Sequence, residues 1–205
     1  MLAYLFWHRP YPSADIPGYE ESLLNFQRRL SEQPPPGFHA AGSYRIPAVP
    51  WLGGRAGYED WCYLDGSWAL DPLNGFAVAG AAKAPHDAAA AQMEIGYGGL
   101  WSLMWGTPDL AERRTVTWLT RPRGIDWRAA LEPVRSQFPS ATCWRRQMVW
   151  DRRRNLRWWF RPANKSWRHK SWRRMAGRRC MSAANVLRRA VGLDLLRREV
   201  RLYAA

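Results

Sequence analysis

The sequence predicts an α+β fold: two ferredoxin-like β-α-β-β-α-β repeats whose sheets pack or join into a barrel-like domain, the second repeat incomplete after residue 149. Three observations predict it. Strand-like and helix-like segments follow the order β-α-β-β-α-β through Trp105, the order of a split βαβ unit. The order then starts again as β-α-β and reaches Val149. Beyond Trp150 the periodicity is lost and the composition changes abruptly. A chain of 205 residues suits one medium domain or two small ones packed together, and can bury a core without staples.

The first repeat is assigned to residues 1–108. Ala3 to Trp7 reads as a strand, after which Pro10, Pro12 and Pro17 hold an extended connection. Tyr19, Leu23, Phe26 and Leu30 then fall at helical spacing, with Glu20, Glu21, Arg28 and Arg29 on the opposite side. Pro34-Pro35-Pro36-Gly37 ends that helix, because proline supplies no N–H and restricts the residue before it. Phe38 to Ile46 is a weaker strand, followed by a loop to Gly57. Tyr58 to Leu64 is an aromatic-rich strand; Asp65 or Ser67 can cap the helix after it, whose apolar face takes Trp68, Leu70 and Leu73. A further helix restarts at Ala84-Pro85-His86-Asp87, with proline and aspartate both suited to a first turn. Gly96, Gly98 and Gly99 are expected to stop it, and Leu100 to Trp105 to form a fourth strand.

Residues 109–150 form the first half of the second repeat. Thr115 to Thr120 is β-branched and aromatic, hence a strand. Trp127, Ala130, Leu131, Val134 and Phe138 lie on one helical face, and Thr142 to Val149 is another strand. Residues 151–205 should then supply the missing β-α-β, and they show no period of 2 or 3.6 through residue 180. Only Ser182 to Leu202 has helical logic, with Leu187, Val191 and Leu195 on one face.

Charge isolates the same segment. The first 150 residues carry 14 Lys+Arg against 14 Asp+Glu, whereas residues 151–205 carry 17 against 3, so the whole net charge of +14 lies there. Arginine (CGG, CGC) and tryptophan (TGG) codons dominate when a GC-rich gene is read out of frame, so a frame-shifted, non-native tail is one reading. The other is a basic arm that binds RNA or DNA phosphates and stacks tryptophans on bases; nucleic acid is a partner only if the tail is genuine.

Composition bounds the rest. Cys62, Cys143 and Cys180 follow no metal-ligand spacing and cannot all pair, which fits free thiols in a cytoplasmic protein. Leu2 to Trp7 is too short for a signal h-region, and no apolar run approaches the roughly 20 residues that span a bilayer. No metal site is expected, and no phosphate loop or nucleophile elbow is present.

The residues suited to chemistry are few. His86 sits at a predicted helix N-terminus, where it can meet an anion or have its pKa shifted; the alternative is a surface histidine beside a dipole-stabilising Asp87. Glu59 and Asp60 are neighbours on a strand and point to opposite faces. One of them therefore faces inward among aromatics, as a general base or as half of an ion pair. His8 and Arg9 end the first strand, where they face a cavity mouth or simply close the strand before Pro10. Ten of the 14 tryptophans precede residue 151. Trp61, Trp101 and Trp118, with Trp7 and Trp105, fall on strands, where they line a pocket for a flat apolar molecule or haem, or pack a sheet core under helices.

Trp7-His8-Arg9-Pro10, Tyr58-Glu59-Asp60-Trp61, Ala69-Leu70-Asp71-Pro72-Leu73-Asn74, Pro85-His86-Asp87 and Trp144-Arg145-Arg146-Gln147-Met148-Val149 resemble an uncharacterised family of bacterial proteins, over residues 3–149. The fold is similar to the dimeric α+β barrel superfamily, whose members include cofactor-free monooxygenases, small isomerases and haem-dependent enzymes. The resemblance implies a monomer with an internal pseudo-dimer or a homodimer, and lends no catalytic residues. The expectation is a protein that binds a small apolar or aromatic molecule between sheet and helices. A cofactor-free monooxygenase or isomerase is the alternative. No cofactor is predicted, and haem stays open.

Overall fold

Nine consecutive residues of β1 (Leu2–Pro10) alternate between two covered faces, which makes this strand the centre of the molecule. The computed structural model describes residues 1–110, 113–119, 124–149, 158–161 and 195–201. On one side β1 pairs antiparallel with β3 (Arg55–Leu64), and on the other with β4 (Met93–Trp105). β2 (Phe38–Val49) adds to the far side of β3. β6 (Thr142–Val149) adds to β4, and β7 (Trp158–Arg161), β5 (Arg113–Leu119) and β8 (Leu195–Arg201) follow. The eight strands run in the order β2-β3-β1-β4-β6-β7-β5-β8. β8 at one end lies against β2 at the other, so the sheet curls back on itself.

Period-2 alternation then sorts side chains into an inside and an outside. Ala3, Leu5 and Trp7 of β1, Trp61 and Tyr63 of β3, Trp101 of β4, Trp118 of β5 and Trp144 of β6 share one buried cluster on the concave face. The opposite face is covered by helices. α1 (Ile16–Glu32) sets Tyr19 and Leu23 on Tyr58, and Leu30 on Cys62 and Leu64. α2 (Leu70–Val78) adds Leu73 to the same layer, and Ala89 of α3 (Lys83–Gln92) packs beside Tyr19. α4 (Trp127–Gln137) lays Leu131 and Val134 on Leu119 and Cys143, the face read from its periodicity.

Several expectations change. Pro17 lies in the first turn of α1 rather than in an extended connection, where its missing N–H costs nothing. Trp68, expected on an apolar helix face, is 58% exposed, because a short 3-10 turn at Ser67–Ala69 precedes α2 and neither Ser67 nor Asp65 caps it. Gly96, Gly98 and Gly99 do not stop a helix: they are β4 residues opposite His8, Phe6 and Leu5. A Cβ on Gly96 would stand 2.5 Å from Phe6 Cζ, so the glycine makes room for the facing ring.

The expectation that strand order fails after residue 149 is also corrected. β7 pairs with both β6 and β5, and β8 pairs with β5. Leu195, placed on a helical face by spacing, is a strand residue opposite Leu119. The other residues of that expected helix, Leu187 and Val191, lie outside the described residues.

Gly57 sets how closely β3 approaches the centre. A Cβ there would stand 2.5 Å from the His8 carbonyl oxygen and 2.6 Å from Leu52 Cδ1, and the backbone atom cannot rotate away. Gly57→Ala is expected to cost about 1–3 kcal/mol in urea unfolding. Gly75→Ala, inside α2 with nothing within 4 Å, is expected to gain about 0.5–1 kcal/mol from helix propensity.

Candidate functional site

Alternation along β3 places Glu59 inside the barrel, between Trp7 on β1 and Tyr44 on β2, its register partners. Glu59 is 2% exposed. Its Oε2 accepts the Trp7 indole N–H at 2.6 Å and its Oε1 accepts the Trp61 N–H, also at 2.6 Å. Charge-assisted bonds of this length offset part of the large cost of burying a carboxylate. A carboxylate oxygen has two lone pairs, so one indole bond on each does not by itself prevent Glu59 from accepting a proton.

The walls around it are aromatic. Trp7 contacts Trp51, Trp101 and Trp118 edge-on at centroid distances of 6.0, 6.2 and 5.5 Å. Trp51 and Trp101 each reach Trp118 at 5.4 Å. Further along, Trp144 packs on Trp61 at 5.9 Å and stacks on Tyr63 at 5.5 Å. These are direct ring contacts of the favoured edge-to-face and offset types, so the tryptophans form a packed core with one carboxylate in it. In that core the buried indole N–H groups of Trp51 and Trp101 have no hydrogen-bond partner among the described residues.

Asp60 points to the other face, as strand geometry requires, and there it meets His8. His8 is 1% exposed. Its Nε2 lies 3.1 Å from Asp60 Oδ2, and its Nδ1 bonds the Tyr19 hydroxyl from α1. Carboxylate oxygen only accepts, so Nε2 carries the proton and Tyr19 donates to Nδ1. Burial pushes the Tyr19 hydroxyl pKa well up, and Asp60 and Tyr58 add to it, which keeps that donor protonated. The Tyr58 ring stacks on His8 at 5.4 Å, and its hydroxyl donates to Glu20 on α1 at 2.7 Å. Arg45 pairs with Glu20 and holds its carboxyl below the usual carboxylate range. This cluster fastens α1 to the sheet. Tyr19→Phe leaves a buried imidazole nitrogen without its donor and is expected to cost about 1–3 kcal/mol, read by chemical denaturation.

Arg9 is buried at the end of β1, with Nη2 2.9 Å and Nε 3.1 Å from Glu94 on β4. A third bond goes from Nη1 to the Leu52 carbonyl. Each of the three guanidinium nitrogens is thus engaged by the protein itself. His86 lies elsewhere, at the surface of α3 beside Asp87 and 6.0 Å from the Phe26 ring. Of the residues expected to act together, the structure brings His8 to Asp60 and Trp61 to Glu59, and leaves His86 apart from both pairs. Trp101 and Trp118 lie buried in the aromatic core. Sequence reasoning missed Trp51 as a member of the site, the bond from Trp7 to Glu59, and Tyr19 as the partner of His8. None of the three has a local signal. Trp51 sits in a 3-10 turn at Pro50–Leu52, and the two bonds depend on strand register and on how α1 docks.

Haem needs an axial donor facing an apolar slot. Both His8 nitrogens are engaged, and His39 pairs with Asp65 at the surface. No group of three metal-ligating side chains occurs among the described residues. Neither of these two histidines therefore offers a free axial nitrogen inside the barrel. Cys62 and Cys143 are buried thiols whose pKa burial pushes far up, and they suit packing rather than nucleophilic chemistry. No helix among the described residues is long and apolar enough to cross a membrane.

The sequence matches no protein-family model and no curated protein. In three dimensions the chain is similar to an anthrone oxidase-like protein, with a TM-score of 0.53 at 10% identity, covering 98% of this chain and 91% of the other. It is similar to a candidate monooxygenase from Lactobacillus acidophilus NCFM, with a TM-score of 0.51 at 12% identity, covering 100% and 97%. A candidate chlorite dismutase aligns with a TM-score of 0.50 at 10% identity, covering 98% and 94%. At such identities the likeness shows the fold alone, an α+β fold with an antiparallel sheet and helices.

Proposed function

We propose that the protein binds a small, flat aromatic molecule in the tryptophan-lined interior of its barrel, beside the buried Glu59. The carrying observation is the Glu59 carboxylate itself, 2% exposed and held by two indole N–H groups. A core selected for stability alone gains by replacing a buried charge with a hydrophobe of similar volume. An eight-stranded barrel is wide enough to be filled by side chains or to hold one small ligand. Admitting a guest therefore requires the indoles to turn aside. Titration with fluorene, a rigid tricyclic hydrocarbon, should give saturable quenching of tryptophan fluorescence and a higher Tm. Absence of both effects removes the reading.

The second reading is oxidation of such a guest without a cofactor, favoured by the resemblance in fold to proteins described as oxidase-like and as a monooxygenase. Here Glu59 takes a proton from an acidic C–H of the guest, and dioxygen oxidises the resulting carbanion. With anthrone and dioxygen the products are anthraquinone and water. Oxygen uptake above the buffer rate, lost in Glu59→Gln, supports this; equal rates in both proteins end it. His86 has no part in either reading, and His8 with Asp60 serves to position β1 and β3.

We also read the sheet as two ferredoxin-like repeats, since the order β2-β3-β1-β4 reappears as β6-β7-β5-β8. For residues 151–205 we keep two rival proposals: a frame-shifted tail or, if the tail is genuine, a basic arm that binds nucleic acid through its local charge of 17 − 3 = +14. Sequencing the gene around codon 150 in a second isolate decides between them.

A further inference from the structure

Two buried donors have no work to do in a purely packed core. Trp51 and Trp101 each lie 5.4 Å from Trp118, and both also touch Trp7. Neither indole nitrogen has a hydrogen-bond partner among the described residues, although both side chains are almost fully buried. Native interiors rarely leave such donors unsatisfied, because each forfeits its hydration and receives nothing in return. The neighbouring acceptor, Glu59, already receives the N–H groups of Trp7 and Trp61. These two indole N–H groups thus lack an acceptor among the described residues.

We infer that Trp51 and Trp101 are specificity-determining residues, and that the guest is recognised as a hydrogen-bond acceptor: a neutral aryl ketone or quinone whose carbonyl oxygen takes their orphaned N–H groups. The inference rests on the reading that the barrel interior admits a flat aromatic guest. An anion is disfavoured, because the Glu59 carboxylate shares the same low-dielectric space and like charges repel strongly there. A guest presenting its own N–H or O–H to this wall meets donor against donor. A pure hydrocarbon fills the volume and leaves both indoles unsatisfied.

Three tricyclic probes of nearly equal shape separate these cases. Fluorene carries a CH2 at the bridging position, 9-fluorenone a carbonyl, and carbazole an N–H. Dissociation constants from fluorescence or calorimetric titration should place 9-fluorenone about tenfold tighter than fluorene, with carbazole no tighter than fluorene. Trp101→Phe combined with Trp51→Phe should bring fluorene and 9-fluorenone to within about twofold of each other while fluorene still binds. Equal binding of fluorene and 9-fluorenone by the wild-type protein overturns the inference and leaves the binding reading standing. So does a 9-fluorenone preference that survives in the double variant. Failure of all three probes to bind overturns both. Should the double variant not fold, the order of the three probes on the wild-type chain decides alone.

Discussion

Trp61→Ala should be among the most destabilising substitutions in the described chain, costing about 3–5 kcal/mol. Trp61 has no solvent exposure, packs on Trp144 and Tyr63, and donates its N–H to Glu59 Oε1 at 2.6 Å. Truncation removes the transfer free energy of a whole indole and leaves a cavity that the rigid rings around it cannot refill. It also takes one donor from a buried carboxylate, so the loss should lie toward the upper end of the range. Trp68→Ala is the internal comparison. That side chain is 58% exposed, and its removal should shift stability by no more than about 0.5 kcal/mol. Urea midpoints for the two variants at constant m-value would show the difference directly. A Trp61→Ala loss below about 1 kcal/mol would mean the interior collapses freely and is not the packed aromatic core described above.

The same pair shows which parts of the molecule were legible in sequence. Strand alternation put Glu59 and Asp60 on opposite faces without any knowledge of the fold, and the structure agrees because a pleated strand has no other choice. β6 was legible to the residue, Thr142–Val149, and so was the inner face of α4, since each is a periodic segment whose neighbours repeat its pattern. Features set by distant packing were not. Gly96 looked like a helix stop and is a strand residue shaped by the Phe6 ring, 90 positions away in sequence. Leu195 had helical spacing and pairs with Leu119 in a sheet. His86 had the local marks of a functional histidine, yet α3 carries it to the surface. The Trp7–Glu59 bond spans 52 positions, and only the antiparallel register of β1 and β3 creates it.

That bond also supports the sharpest energetic test of the site. Glu59→Gln keeps the length and one carbonyl oxygen but turns the other acceptor into an NH2 facing an indole N–H. One of the two indole donors must lose its partner in the low-dielectric interior, at an expected cost of about 1–3 kcal/mol. Trp7→Phe removes the Trp7 donor together with part of a ring, and its own cost combines a lost bond with a cavity. In the double variant the carbonyl of the introduced amide can turn wholly to Trp61, and its NH2 no longer opposes a donor. The two losses should therefore fall short of additivity by at least about 1 kcal/mol, within the range seen for groups in direct contact. Trp7→Phe with Tyr19→Phe serves as the reference cycle, since Tyr19 lies on the opposite face of β1 with His8 and should add independently. Additivity of Glu59→Gln and Trp7→Phe to within about 0.3 kcal/mol would mean that the carboxylate is not held by Trp7 in solution.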